Sequence, residues 1–94
     1  MYKRVDKNQN NIVEELRNLG FSVEIISKLG KGKPDLLVGI NNITLLVEVK
    51  MEANEKNLTK DEKVFKSKWK GSYLIADNVM QICDWFLKYK RERY

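Results

Sequence analysis

Asp35, Glu48 and Lys50 interrupt two otherwise apolar runs, residues 35–40 and 43–50. An unpaired charge among such neighbours costs on the order of several kcal/mol, so these three residues call for partners or for a ligand. Two carboxylates held close together favour a hard divalent cation such as Mg²⁺ or Mn²⁺, which takes oxygen ligands and keeps several waters. A neighbouring ammonium can orient or deprotonate a water, or stabilise the negative charge that builds up as a phosphodiester is attacked. That is the equipment of metal-assisted phosphodiester hydrolysis. The same residues can also make a plain salt-bridged patch at the end of a sheet, and the two readings differ in what else surrounds them.

The elements that would bring them together follow from the local pattern. Residues 35–40 and 43–50 read as strands separated only by Asn41-Asn42, and Asn tolerates the positive φ that a two-residue hairpin turn demands. Counting outward from Ile40 opposite Ile43 places Asp35 opposite Glu48. Strand alternation then sets Lys50 on the face of Glu48, with Ile43, Leu45, Val47 and Val49 on the other. Opposed side chains lie roughly 4.5 to 5.5 Å apart at Cβ, where like charges repel unless something positive sits between them. Because both strands are apolar at alternate and intervening positions alike, both faces are expected to be covered.

Around the hairpin, Ile12, Val13, Leu16 and Leu19 recur at the spacing of one helix face, with Asp6 as N-cap and Gly20 as the stop. Residues 21–27 read as a strand and 28–33 as a glycine-spaced basic loop. After a polar loop over 51–58, Thr59-x-x-Glu62 has the form of a capping box opening a second helix that ends at Gly71. Val64, Phe65 and Trp69 of that helix are expected to face the sheet. Residues 72–76 form a short strand and 78–90 a third helix, with Val79, Ile82, Trp85, Phe86 and Tyr89 on its inner stripe. The expected fold is α/β, in the order αβββαβα.

Ninety-four residues, 43% hydrophobic and 33% charged, make a single domain over 1–94 with a modest core. The net charge of +5 and pI near 9.4 favour a polyanionic partner. The chain has no histidine and a single cysteine, Cys83, which excludes the usual zinc ligand sets, Cys-His and Ser-His-Asp triads, and an internal disulfide. The apolar runs fall far short of the ~20 residues of a membrane span, and residues 1–10 are polar, without a signal-peptide hydrophobic region. A soluble intracellular protein with no membrane partner is expected.

Pro34-Asp35, followed after twelve residues by Glu48-Val49-Lys50, resembles the PD-(D/E)xK nuclease motif, and the order of elements resembles that superfamily's restriction-endonuclease-like core, a central mixed sheet flanked by helices. Asp6-Lys7-Asn8-Gln9, Ile12-Val13, Leu16-Arg17, the stretch Gly30-Lys31-Gly32-Lys33-Pro34-Asp35-Leu36-Leu37-Val38-Gly39, and Leu58-Thr59 further resemble the small stand-alone VRR-NUC-type nucleases often found in bacteriophages. The resemblance implies that Asp35, Glu48 and the Val49 carbonyl hold Mg²⁺ or Mn²⁺ and that Lys50 is the catalytic lysine. It also implies a cytoplasmic setting in a bacterial or phage-infected cell. The chain departs from that group at Glu62, where a glutamine is common, and in lacking a clear arginine pair over 72–77. Many relatives carry a glutamate in the first helix, where the inward face here offers Gln9 as a candidate catalytic residue.

Gln9 and Glu62 each have two readings, in the site or in a capping box, since Asp6-x-x-Gln9 and Thr59-x-x-Glu62 both fit that motif. Lys28, Lys31 and Lys33 lead straight into Asp35, where Gly30 and Gly32 would let a phosphate backbone approach. Lys60 and Lys63 belong to a stripe on the second helix, with Lys66 and Lys70, that can face DNA or solvent. Trp69, Trp85, Phe86 and Tyr89 follow inner helix faces and read as core or dimer contacts rather than base-stacking platforms. The resulting expectation is a metal-dependent endodeoxyribonuclease, selective for branched or junction DNA and acting as a homodimer. The alternative is a nuclease-like fold that binds nucleic acid or protein without cutting.

Overall fold

The computed structural model describes residues 7–93. Helix α1 (Lys7–Asn18) is followed by strand β1 (Ser22–Ile25), the hairpin β2 (Leu36–Ile40) and β3 (Ile43–Val49), helix α2 (Lys60–Lys68), strand β4 (Tyr73–Ala76) and helix α3 (Val79–Arg93), with short 3₁₀ turns at Ser27–Leu29 and Glu55–Asn57. The molecule is a small mixed α/β domain with three helices and a four-stranded sheet in the order β1-β2-β3-β4. β2 runs antiparallel to both β1 and β3, while β4 joins β3 in parallel through the α2 crossover. No described helix is long and apolar enough to cross a membrane.

The hairpin forms in the expected register. Asn41 and Asn42 take φ of 51° and 65°, and Leu36 pairs with Val47. The core lies on the odd-numbered face of β3, where Leu45, Val47 and Val49 meet Leu36 and Val38 of β2 beneath Ile12, Val13 and Leu16 of α1 and Val79, Ile82 and Phe86 of α3. Arg17 Nη2 donates to the Val23 carbonyl at 2.7 Å, fixing α1 to the edge strand.

Several expectations change at the margins. α1 stops at Asn18, and Gly20 at φ 99° closes it with paired bonds, Phe21 N–H to the Leu16 carbonyl and Gly20 N–H to that of Arg17. Leu19 therefore leaves the helix stripe and is exposed. The strand expected over 21–27 shortens to Ser22–Ile25 because the chain turns at Ser27–Leu29. Only β3 is covered on both faces, since Leu37 of β2 and Ile25 of β1 remain exposed. The reason is α2, nine residues long, which sits over the β3–β4 side through Glu62 and leaves Val64 and Trp69 exposed rather than turned to the sheet. Asp6, the expected N-cap, lies outside the described residues.

Candidate active site

Asp35 sits just before β2 and is tied on three sides. Its N–H donates to the Val47 carbonyl at 3.1 Å, its carbonyl accepts from Ile26 N–H at 2.8 Å, and its Oδ2 accepts from Val49 N–H at 2.9 Å. The β2–β3 pairing ends at Leu36–Val47, and Pro34, next along the chain from Asp35, has no N–H to extend it. The Asp35 carboxylate thus takes over one rung of the ladder, and the ladder offers no donor from Pro34 to the Val49 carbonyl.

Glu48 and Lys50 project from the other face of β3, away from the core. Lys50 Nζ lies 2.8 Å from Glu62 Oε1 and 3.6 Å from Glu48 Oε2, so the ammonium is held between two carboxylates. Asp35, Glu48 and Glu62 are only 3%, 1% and 5% exposed. Burial alone would lower the Lys50 ammonium, but the Glu62 hydrogen bond and the charges of Glu48, Glu62 and Asp35 outweigh it and hold the group above its ordinary value. For Glu62 burial alone would raise the carboxyl, and the hydrogen bonds from Lys50 and from Thr59 N–H bring it below its ordinary value.

Glu62 answers both readings that its sequence allows. Its Oε1 accepts Thr59 N–H at 2.9 Å while Thr59 Oγ1 accepts Glu62 N–H at 3.2 Å, completing the capping box. The same oxygen takes the Lys50 ammonium. The cap therefore fixes the start of α2 and delivers a carboxylate to the sheet.

Gln9 is buried on α1 beside Ile12 and Val13. Its neighbour Asn8 donates from Nδ2 to the Asp77 carbonyl at 3.4 Å, which puts the first turn of α1 at the end of the sheet where β3 and β4 finish. Lys28 and Lys31 are exposed on the loop before Asp35, and Lys60 and Lys63 are exposed on α2. Lys33 is half-buried, its Nζ 5.9 Å from the centre of the Phe65 ring. Gly30 borders open space. Gly32 does not: a Cβ there would lie 2.3 Å from the Asp61 carbonyl oxygen, so its missing side chain admits α2 instead of a phosphate.

Two residues join the site that sequence reading passed over. Tyr73 of β4 pairs with Leu46 and so shares the face of Glu48 and Lys50; its hydroxyl oxygen is buried with no hydrogen-bond partner among the described residues. Burial, then the charges of Glu48, Glu62 and Asp35, push this phenol well above its ordinary 10.0. Asp77, just after β4, accepts Ala53 N–H at 2.9 Å through Oδ2 and anchors the loop that leaves Lys50. The alternation Tyr73-Leu74-Ile75 hinted at a face for Tyr73, but only the parallel β3–β4 register says which one.

Three buried carboxylates against one ammonium leave the cluster with negative charge in excess. Glu62 is engaged by Lys50 and Thr59, Asp35 by the Val49 N–H, and Glu48 faces the Lys50 ammonium. No group of three or more His, Cys, Asp or Glu side chains arranged to hold a metal occurs among the described residues. No protein-family model and no curated protein matches the chain.

Proposed function

We propose that the protein is a metal-dependent endodeoxyribonuclease built on a restriction-endonuclease-like core. The observation that carries this reading is the buried set at one end of the hairpin: Asp35 and Glu48, with Lys50 held between Glu48 and Glu62. Asp35, Glu48 and the Val49 carbonyl would hold Mg²⁺ or Mn²⁺, which when bound supplies Lewis-acid polarisation and an activated water. Lys50 is the group that orients the attacking water or supports the charge that develops on the phosphate, and Glu62 and Glu48 fix where its ammonium points. Gln9 is the candidate from α1 at the same end of the sheet.

DNA is the substrate that the charge favours. Lys28, Lys31 and Lys33 line the approach to Asp35, with Lys60 and Lys63 on α2, and the chain carries +5 overall. Lysine contacts to phosphate read no sequence, which supports structure selectivity, with branched or junction DNA as the substrate class. The two-fold character of a junction and the small footprint of the chain support a homodimer.

Cleavage of supercoiled plasmid, linear duplex and a four-way junction with Mg²⁺, Mn²⁺ or EDTA tests the proposal. Metal-dependent cutting by the wild type, lost in Lys50→Ala and in Asp35→Asn with DNA binding kept, is the expected result. Intact binding with no cutting by the wild type under any metal would assign a binding module on this fold instead.

A further inference from the structure

A groove of about 420 Å³ opens between the loop that leads to Asp35 and helix α2. Lys31 and Lys33 form one wall, Asp61, Phe65 and Lys68 the other, and Trp69 closes the end. Its walls belong to the segments that carry Asp35 and Glu62, whose chain neighbours Lys33 and Asp61 line it.

The rings in this groove are not core. Trp69 is the C-cap of α2 and is 44% exposed, its indole stacked on Phe65 at 5.6 Å and 17°. Its Nε1 donates to the Ser72 carbonyl at 3.2 Å, which holds the ring rigidly in place. Gly71 makes room for it, because a Cβ there would come 2.8 Å from Nε1. A fixed, solvent-facing indole rimmed by three lysines and one aspartate matches a ligand that is planar, apolar on its faces and anionic along its chain. That description fits a nucleotide whose base is out of the duplex stack. A paired base cannot present its face, so the groove selects strands with unpaired nucleotides.

We infer that the Lys31–Lys33 loop and Trp69 form a binding site for an unpaired nucleotide, with the base against the Trp69 indole and flanking phosphates on Lys31, Lys33 and Lys68. This rests on the nuclease reading only in naming its substrate as DNA with a single-stranded segment at the cut.

The test measures binding in EDTA, without cleavage, by fluorescence anisotropy of a labelled single-stranded dT oligonucleotide and of a labelled blunt duplex, with the fold of each variant checked by circular dichroism. Trp69→Ala is expected to weaken single-strand binding by about tenfold and duplex binding by less than about twofold. Trp69→Phe, which keeps a stacking ring, is expected to stay within about threefold of the wild type. Gly71→Ala, which leaves the indole intact but forces it to move, is expected to weaken single-strand binding selectively. Equal losses on both DNAs, a Trp69→Phe loss as large as that of the alanine variant, or no single-strand binding by the wild type would overturn the inference. Cleavage by the wild type with no single-strand defect in these variants would sink the groove alone. A selective defect without any cleavage would sink the nuclease reading alone.

Discussion

The Lys50–Glu62 contact is where one side chain serves two masters, because the oxygen that caps α2 is also the nearest partner of the ammonium, at 2.8 Å. In the metal-free protein the pair has a defined pH window. The Glu62 carboxyl is lowered on folding, so its contribution is present above its ordinary 4.5 and is lost as pH falls through the lower folded value. The Lys50 ammonium is raised, so its contribution is present below 10.5 and is lost as pH rises through the higher folded value. Glu62→Gln keeps a carbonyl for Thr59 N–H and removes only the charge. It is expected to cost about 1 to 2 kcal/mol at neutral pH, a deficit that shrinks as urea unfolding is repeated below pH 4.5. A deficit independent of pH would mean that the amide disturbs packing rather than the ion pair. At this scale period-two alternation and the two-residue turn gave the shared face of Glu48 and Lys50 and the pairing out to Leu36–Val47, but not the bond from Asp35 N–H to the Val47 carbonyl, which counting outward from the turn does not foresee. Tyr73 was hidden, since its place beside Glu48 depends on a parallel pairing that no local pattern encodes.

The elements that hold these residues were legible wherever a local rule decided them. The Asn41-Asn42 turn, the Gly20 stop of α1 and the Thr59 cap of α2 all follow from backbone requirements met by one or two residues. What α2 packs against was not legible, because Val64, Phe65 and Trp69 have the spacing of an inner face although two of them are exposed. The helix is positioned by polar contacts at its first turn and by the approach of the Lys31–Lys33 loop. That approach depends on Gly32, at φ 79°, whose absent side chain leaves space for the Asp61 carbonyl. Gly32→Ala combines a left-handed backbone with a backbone collision, and is expected to cost about 2 to 4 kcal/mol. It also moves Glu62 off Lys50, so hydrogen exchange should speed up through α2 while α1 and α3 keep their protection. Uniform acceleration across all three helices would show that α2 is not a separately attached element.

For the molecule as a whole, the cluster is a local excess of negative charge inside a protein that is positive overall, +5 from 18 basic and 13 acidic residues. Under the proposed reading the positive surface would draw in a polyanion that the buried carboxylates repel, and a bound cation would make the two fields compatible. Stability should carry the same signature. Removing one carboxylate from the metal-free protein relieves repulsion, and Glu48 is the one whose loss leaves Lys50 paired, since Glu62 is closer to the ammonium at 2.8 Å than Glu48 at 3.6 Å. Glu48→Gln is therefore expected to melt higher than the wild type in EDTA. Mn²⁺ at about ten times its dissociation constant would stabilise the wild type by about 1.4 kcal/mol, or about 6 to 10 °C in Tm for a domain of this size. The variant should show little of that rise, so the order of melting temperatures inverts between EDTA and metal. Calorimetry in the two buffers reads both halves of the inversion, and a Glu48→Gln protein that melts below the wild type in EDTA would mean that the carboxylate is held by protein contacts alone, without need of a cation.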